Sequence, residues 1–176
     1  MTINLENLRN GVMGLTPEFG SFCLQACTVC LENCNHGDGV NASLTGTSPN
    51  FLTLNWTSLV TDQVKRNWSD LQEATEYGAT AIAILLASQL SPFNCIERSS
   101  KGTGFDYWLG DEDNIGVFQR KEALEISGIL TESGSNTLDA RVKIKEKQPK
   151  RSAGSVPNAH ICVTEFSSPK CEYKII

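Results

Sequence analysis

Two acidic residues sit in stretches that otherwise alternate like strands: Asp106 in "GFDYWLG" (104–110) and Glu125 in "ALEISGIL" (123–130). A half-buried strand more often carries Thr, Lys or Gln at such positions, so a carboxylate there asks for a chemical reason. Period-two geometry puts Asp106 and Glu125 on one face if Phe105, Tyr107, Leu124 and Ile126 pack the other. Carboxylates on adjacent strands then come within reach of one Mg2+ or Mn2+ ion, which activates water and offsets charge on a phosphate. The structural alternative is that Asp106 follows a glycine turn while Glu125 pairs with Arg98 or Lys121 across strands.

A second constellation is "FCLQACTVCLENCNHG", with Cys23, Cys27, Cys30 and Cys34. The first three match the C-x3-C-x2-C spacing of radical-SAM iron–sulfur enzymes. The same spacing also lines one face of an α-helix. Thr16 suits an N-cap, Pro17 a first helical position, Glu18 the positive end, and "NHG" a stop near Gly37. Ser21, Gln25, Thr28 and Glu32 fall opposite the stripe, so the expectation is a helix over 16–36 whose cysteines pack as small hydrophobes. His36 and Asp38 read as a cap and turn before they read as ligands, and His160 as a structural residue at a strand start.

The elements that must position the acids follow in order. "FLTLNW" (51–56) looks like a strand, after a polar loop "GVNASLTGTSPN". Thr61 or Asp62 caps a helix expected to run to about Gln89, carrying Glu73 and Glu76 on one surface and ending before Pro92. "FNCIER", "GFDYWLG" and "ALEISGIL" form an antiparallel meander. Its "SSKGTG" link lacks the G-x-x-x-x-G-K-[ST] spacing of a phosphate loop and reads as a hairpin turn. Residues 136–148 suit a helix with Asn136 as cap, although "VKIK" alternates like a strand. The stretch "KQPKRSAGSVPN" then reads as a loop and "HICVTEFSS" (160–168) as an apolar strand.

This order, helix, three strands, helix, strand over 61–168, resembles the restriction-endonuclease-like, or PD-(D/E)xK, nuclease superfamily. The resemblance implies an α/β fold with that core over 61–168; the chain length predicts a single domain 1–176, with the cysteine-lined helix as an N-terminal addition. It implies Asp106 and Glu125 as ligands of Mg2+ or Mn2+, and Glu76 or Glu73 as an accessory acid. Ser127 stands where the family has the lysine of its E-x-K motif, so the cation must come from elsewhere: Lys121, Lys143 or Lys145. The activity implied is metal-dependent cleavage of DNA or RNA, as one subunit of a larger system. The alternative is a silent nuclease-fold subunit that binds nucleic acid or a protein partner such as an ATPase or helicase. A role in phage defence, repair or a mobile element would follow from the family alone, and self-association is left open.

Bulk properties frame these readings. The 176-residue chain carries a net charge of −5, which argues against coating nucleic acid by charge alone. A local patch compensates: Arg141, Lys143, Lys145, Lys147, Lys150 and Arg151 face the single acid Glu146 within 141–151, a set expected to grip phosphate or to flank a solvated loop. The longest apolar run, "GATAIAILLASQL", falls well short of the roughly 20 residues that span a bilayer. The start "MTINLENLRN" has no basic segment leading into an apolar one, so the expected location is cytoplasmic, where the seven cysteines stay thiols and the sequons at Asn41, Asn55 and Asn67 go unused.

Overall fold

The computed structural model describes residues 1–113, 115–147 and 158–176. Strand β1 (Thr2–Asn4) and two short 3-10 helices (Leu5–Asn10, Val12–Gly14) precede helix α1 (Pro17–Asn33), strands β2 (Val40–Thr45) and β3 (Phe51–Asn55), and helices α2 (Asp62–Asn67) and α3 (Leu71–Leu90). The meander β4 (Cys95–Arg98), β5 (Tyr107–Glu112), β6 (Phe118–Ile129) leads into α4 (Leu138–Lys145), β7 (Ala159–Glu165) and β8 (Lys170–Ile175). All strands join one mixed sheet in the order β1-β3-β2-β8-β7-β6-β5-β4. The meander pairs antiparallel, β7 pairs parallel to β6 across the α4 crossover, and β8 turns back antiparallel to β7.

Helices cover both faces. Leu124, Ile126, Cys162, Cys171 and Tyr173 join α1 and α3 in the main core, whereas Ile129, Ile161 and Val163 pack Leu138 and Val142 of α4 on the other side. Helix α3 is buried nearly all round from Gly78 to Ala87, as its apolar second half requires. Glycine permits its two closest approaches. A Cβ at Gly78 would lie 3.1 Å from the Cys27 Cα, and one at Gly128 only 2.4 Å from the Thr75 carbonyl oxygen.

Helix α1 begins as its sequence indicates, with Pro17 first and the Thr16 hydroxyl accepting the Phe19 N–H at 3.3 Å. Cys23, Cys27 and Cys30 are fully buried, and burial pushes the Cys23 and Cys30 thiols up to about 12. They fill the α1–α3 seam. His36 lies 3.1 Å from the Ser167 carbonyl oxygen through Nε2, and Asp38 accepts the Trp56 N–H at 2.7 Å, so both tie loops together. His160 is buried within β7, 2.7 Å from the Tyr173 hydroxyl and 2.6 Å from Glu122.

Four expectations need correction. The helix over 61–89 is two helices, because buried Trp68 packs against Phe22 in a tilted ring contact with centroids 4.5 Å apart and Asp70 caps a new start through the Gln72 and Glu73 N–H groups. The supposed loop over 39–50 contains β2, whose Ala42 and Leu44 are buried and which pairs with both β3 and β8. The N-terminal addition is therefore more than a helix. Residues 170–175 form a strand that was not expected, anchored by buried Cys171 and Tyr173. The cap of α4 is Thr137, whose hydroxyl accepts the Ala140 N–H at 3.2 Å, not Asn136.

Candidate functional site

The site begins at a notch in the sheet. Tyr107, the first residue of β5, pairs with Leu124, and the Asp106 N–H donates to the Leu124 carbonyl at 3.1 Å. β6 continues to Ile129 with β7 on one side and no β5 residue on the other. The Asp106 carboxylate fills the first gap, its Oδ2 accepting the Ile126 N–H at 2.8 Å. A side chain thus completes the ladder where the strand has ended. Asp106 is exposed, and its other oxygen has no hydrogen bond to a described residue.

Alternation along β6 sets Glu125 and Ser127 on the opposite side from Leu124 and Ile126. Tyr107, Leu124 and Ile126 enter the α3 core, and Glu125 and Ser127 point to the α4 face. Phe105 departs from the expected pattern: it lies in the loop ahead of β5 and packs with Ala123, Trp108 and Ala159. Asp106 is close enough that its charge, after the larger effect of burial, pushes the Glu125 carboxyl up to about 7 against the opposing pull of Lys145.

Helix α4 supplies two cations one turn apart. The Lys145 ammonium donates to Glu125 Oε1 in an ion pair whose side chains are 16% and 3% exposed. The Arg141 guanidinium donates to the Ser127 hydroxyl at 3.2 Å and to Asn136 Oδ1 at 2.6 Å. Neither Arg98 nor Lys121 forms the cross-strand pair with Glu125; Lys145 does. Ser127 has a partner of its own: it holds an arginine.

Two cavities meet here. The larger, about 740 Å³, runs between α3 and the end of β6 and is lined by Glu76, Arg98, Asp106, Ser127, Arg141 and Lys145 among others. The smaller, about 390 Å³, lies under the 99–105 hairpin turn and takes in Glu125. Glu73 is exposed on α3 and lines neither, and exposed Lys121, Lys143 and Lys147 line neither. Lys150 and Arg151 fall outside the described residues. Arg98, read from sequence only as a partner for Glu125, and Asn136, read as a helix cap, line the larger cavity instead; the spacing of four between Arg141 and Lys145 was the signal that both face one way.

Whether the residues fit a divalent ion can be tested on their donor set. Among the described residues no group of three or more His, Cys, Asp or Glu side chains is arranged to hold a metal. Mg2+ asks for less: one or two carboxylates, with water and substrate phosphate completing the shell. Two carboxylates with hard oxygen donors are present: exposed Asp106, and buried Glu125, one of whose oxygens takes the Lys145 ammonium. No helix among the described residues is long and apolar enough to cross a membrane. Comparisons with known protein families, with curated proteins and with solved structures give no match.

Proposed function

We propose that the chain is a metal-dependent nuclease domain of restriction-endonuclease-like architecture, acting on DNA or RNA phosphodiesters as one subunit of a larger system. The observation that carries this reading is the proximity of Asp106 and Glu125, close enough for the charge of one to act on the other, with Lys145 brought to Glu125 from the crossover helix. The element order α3, β4, β5, β6, α4, β7, the order on which the resemblance rests, supports the reading. A bound Mg2+ or Mn2+ would supply a water of lowered pKa and Lewis-acid stabilisation of the phosphate.

The remaining work falls to the chain. Asp106 is fixed by the Ile126 N–H, so its free oxygen keeps one direction. Lys145 and Arg141 line the cleft and present preorganised positive charge to a phosphate there. Ser127 and Asn136 align the guanidinium fork, which suits two phosphate oxygens. Glu76 faces the cleft from α3 as the accessory acid.

Cleavage of single-stranded and duplex substrates in Mg2+ or Mn2+ is expected for the wild type. It should fall by about 100-fold or more in Asp106→Asn, Glu125→Gln and Lys145→Ala, the scale of losing one preorganised electrostatic group. Equal rates in the wild type and the three variants would refute the catalytic reading. Burial of Glu125 beneath Lys145 favours a second reading, a silent nuclease-fold subunit whose pair only stabilises the fold. That reading requires nucleic-acid or protein-partner binding with no cleavage in any divalent metal.

A further inference from the structure

The turn after β4 is more than a link. Residues 99–104, "SSKGTG", form the wall of the 390 Å³ cavity that contains Glu125 and Lys145. Its shape is fixed from within: the Ser99 N–H donates to the Asp106 carbonyl at 2.9 Å, the Ser99 hydroxyl donates to the Phe105 carbonyl, and the Thr103 hydroxyl reaches Ser99 at 2.9 Å. Gly102 and Gly104 both take positive φ, +100° and +83°, and a Cβ at Gly102 would meet nothing within 4 Å. The backbone there is both open and preset. Lys101 is exposed at its tip and has no salt bridge to a described residue.

The two cavities share Arg98, Asp106 and Lys145, so they adjoin at the acid pair. α3 bounds the passage where Thr75 presses on Gly128, and α4 bounds it where Arg141 meets Ser127. Cavities of about 740 and 390 Å³ lie within the roughly 300–1,000 Å³ typical of sites for small ligands. Their volumes match a few nucleotides of one strand rather than a duplex.

We infer that the 99–104 turn, with Arg98 and Lys101, is a phosphate subsite beside the acid pair, and that the ligand is a single strand of nucleic acid threaded from the α3 cleft past Asp106 and Lys145 to this turn. The subsite deepens the nuclease reading and takes its ligand class from it. Its chemistry is that of single-strand channels, in which cations track the backbone and backbone N–H groups meet phosphate oxygens. DNA and RNA share that chemistry.

The test is binding in EDTA, where catalysis plays no part. Labelled single-stranded DNA, single-stranded RNA and blunt duplex DNA are titrated by fluorescence anisotropy against the wild type, Lys101→Ala and a control, Lys65→Ala on α2. The expected result is tighter binding of one or both single strands than of duplex. Lys101→Ala should weaken it about fivefold and flatten the log–log salt slope by about 0.7, the value for one single-strand phosphate contact, with Lys65→Ala unchanged. Unchanged affinity and slope in Lys101→Ala, or duplex bound as tightly as single strands, overturns the inference. The two readings fail separately. Metal-dependent cleavage with a KM indifferent to Lys101→Ala removes the subsite and keeps the nuclease; Lys101-dependent binding without cleavage removes the nuclease and keeps the subsite.

Discussion

Glu125 carries its proton further up the pH scale than an ordinary carboxylate, because burial and the neighbouring Asp106 both oppose its charge and Lys145 offsets only part of that. The consequence for stability has a definite sign. A carboxyl held at about 7 in the fold against an ordinary value of 4.5 binds more protons folded than unfolded, so its contribution is fully present below 4.5 and is lost as pH rises to about 7. Chemical denaturation of metal-free wild type should lose on the order of 3 kcal/mol across that window relative to Glu125→Gln. A difference between the two proteins that does not change with pH would contradict the assignment. At the neighbouring position, Ser127 and Arg141 act as one unit through their 3.2 Å hydrogen bond. Unfolding free energies of Ser127→Ala, Arg141→Ala and the double variant should depart from additivity by about 1 kcal/mol; strict additivity would mean that the serine does not hold the arginine.

At the scale of elements, the sequence makes legible what local rules control. Thr16 and Pro17 announce α1, the turn spacing announces the meander, and alternation turns Glu125 and Ser127 away from Leu124 and Ile126; Asp106 lies just outside β5, where alternation does not reach. The rest depends on distant chain. β2 is held between nearby β3 and β8, far along the sequence, and its Val40, Ala42 and Leu44 alternation is diluted by polar neighbours. The break between α2 and α3 depends on where Trp68 finds Phe22 and Tyr77, which no window of helix propensity contains. The choice among Lys121, Lys143 and Lys145 required the rotation of α4: with Leu138 and Val142 set against the sheet, positions 141 and 145 face β6 and position 143 turns to solvent. The tight α3–β6 contact is itself testable. Gly128→Val should cost about 3 kcal/mol in denaturant unfolding because its Cβ would meet the Thr75 carbonyl oxygen, whereas Gly37→Ala, with nothing within 4 Å, should be nearly neutral. Equal effects of the two substitutions would place the seam elsewhere.

Across the whole molecule, the N-terminal segment is built into the same sheet as the candidate site: β2 extends it beyond β8, and the α1 cysteines cover α3. A fragment spanning 61–176 should therefore show no cooperative thermal transition; a sharp one would mean that this part of the chain folds by itself. Net charge of −5 opposes polyanions at a distance, and the cations Arg98, Lys101, Arg141 and Lys145 gather around the acid pair. Both the charge pattern and the fold converge on one small volume at the end of β6. The most direct measurement is Mn2+ titration followed by electron paramagnetic resonance, on the wild type, Asp106→Asn and Glu125→Gln. The account predicts one bound Mn2+ per chain in the wild type and loss of that ion in each variant. Retention of the same stoichiometry and affinity when either carboxylate is neutralised would contradict it.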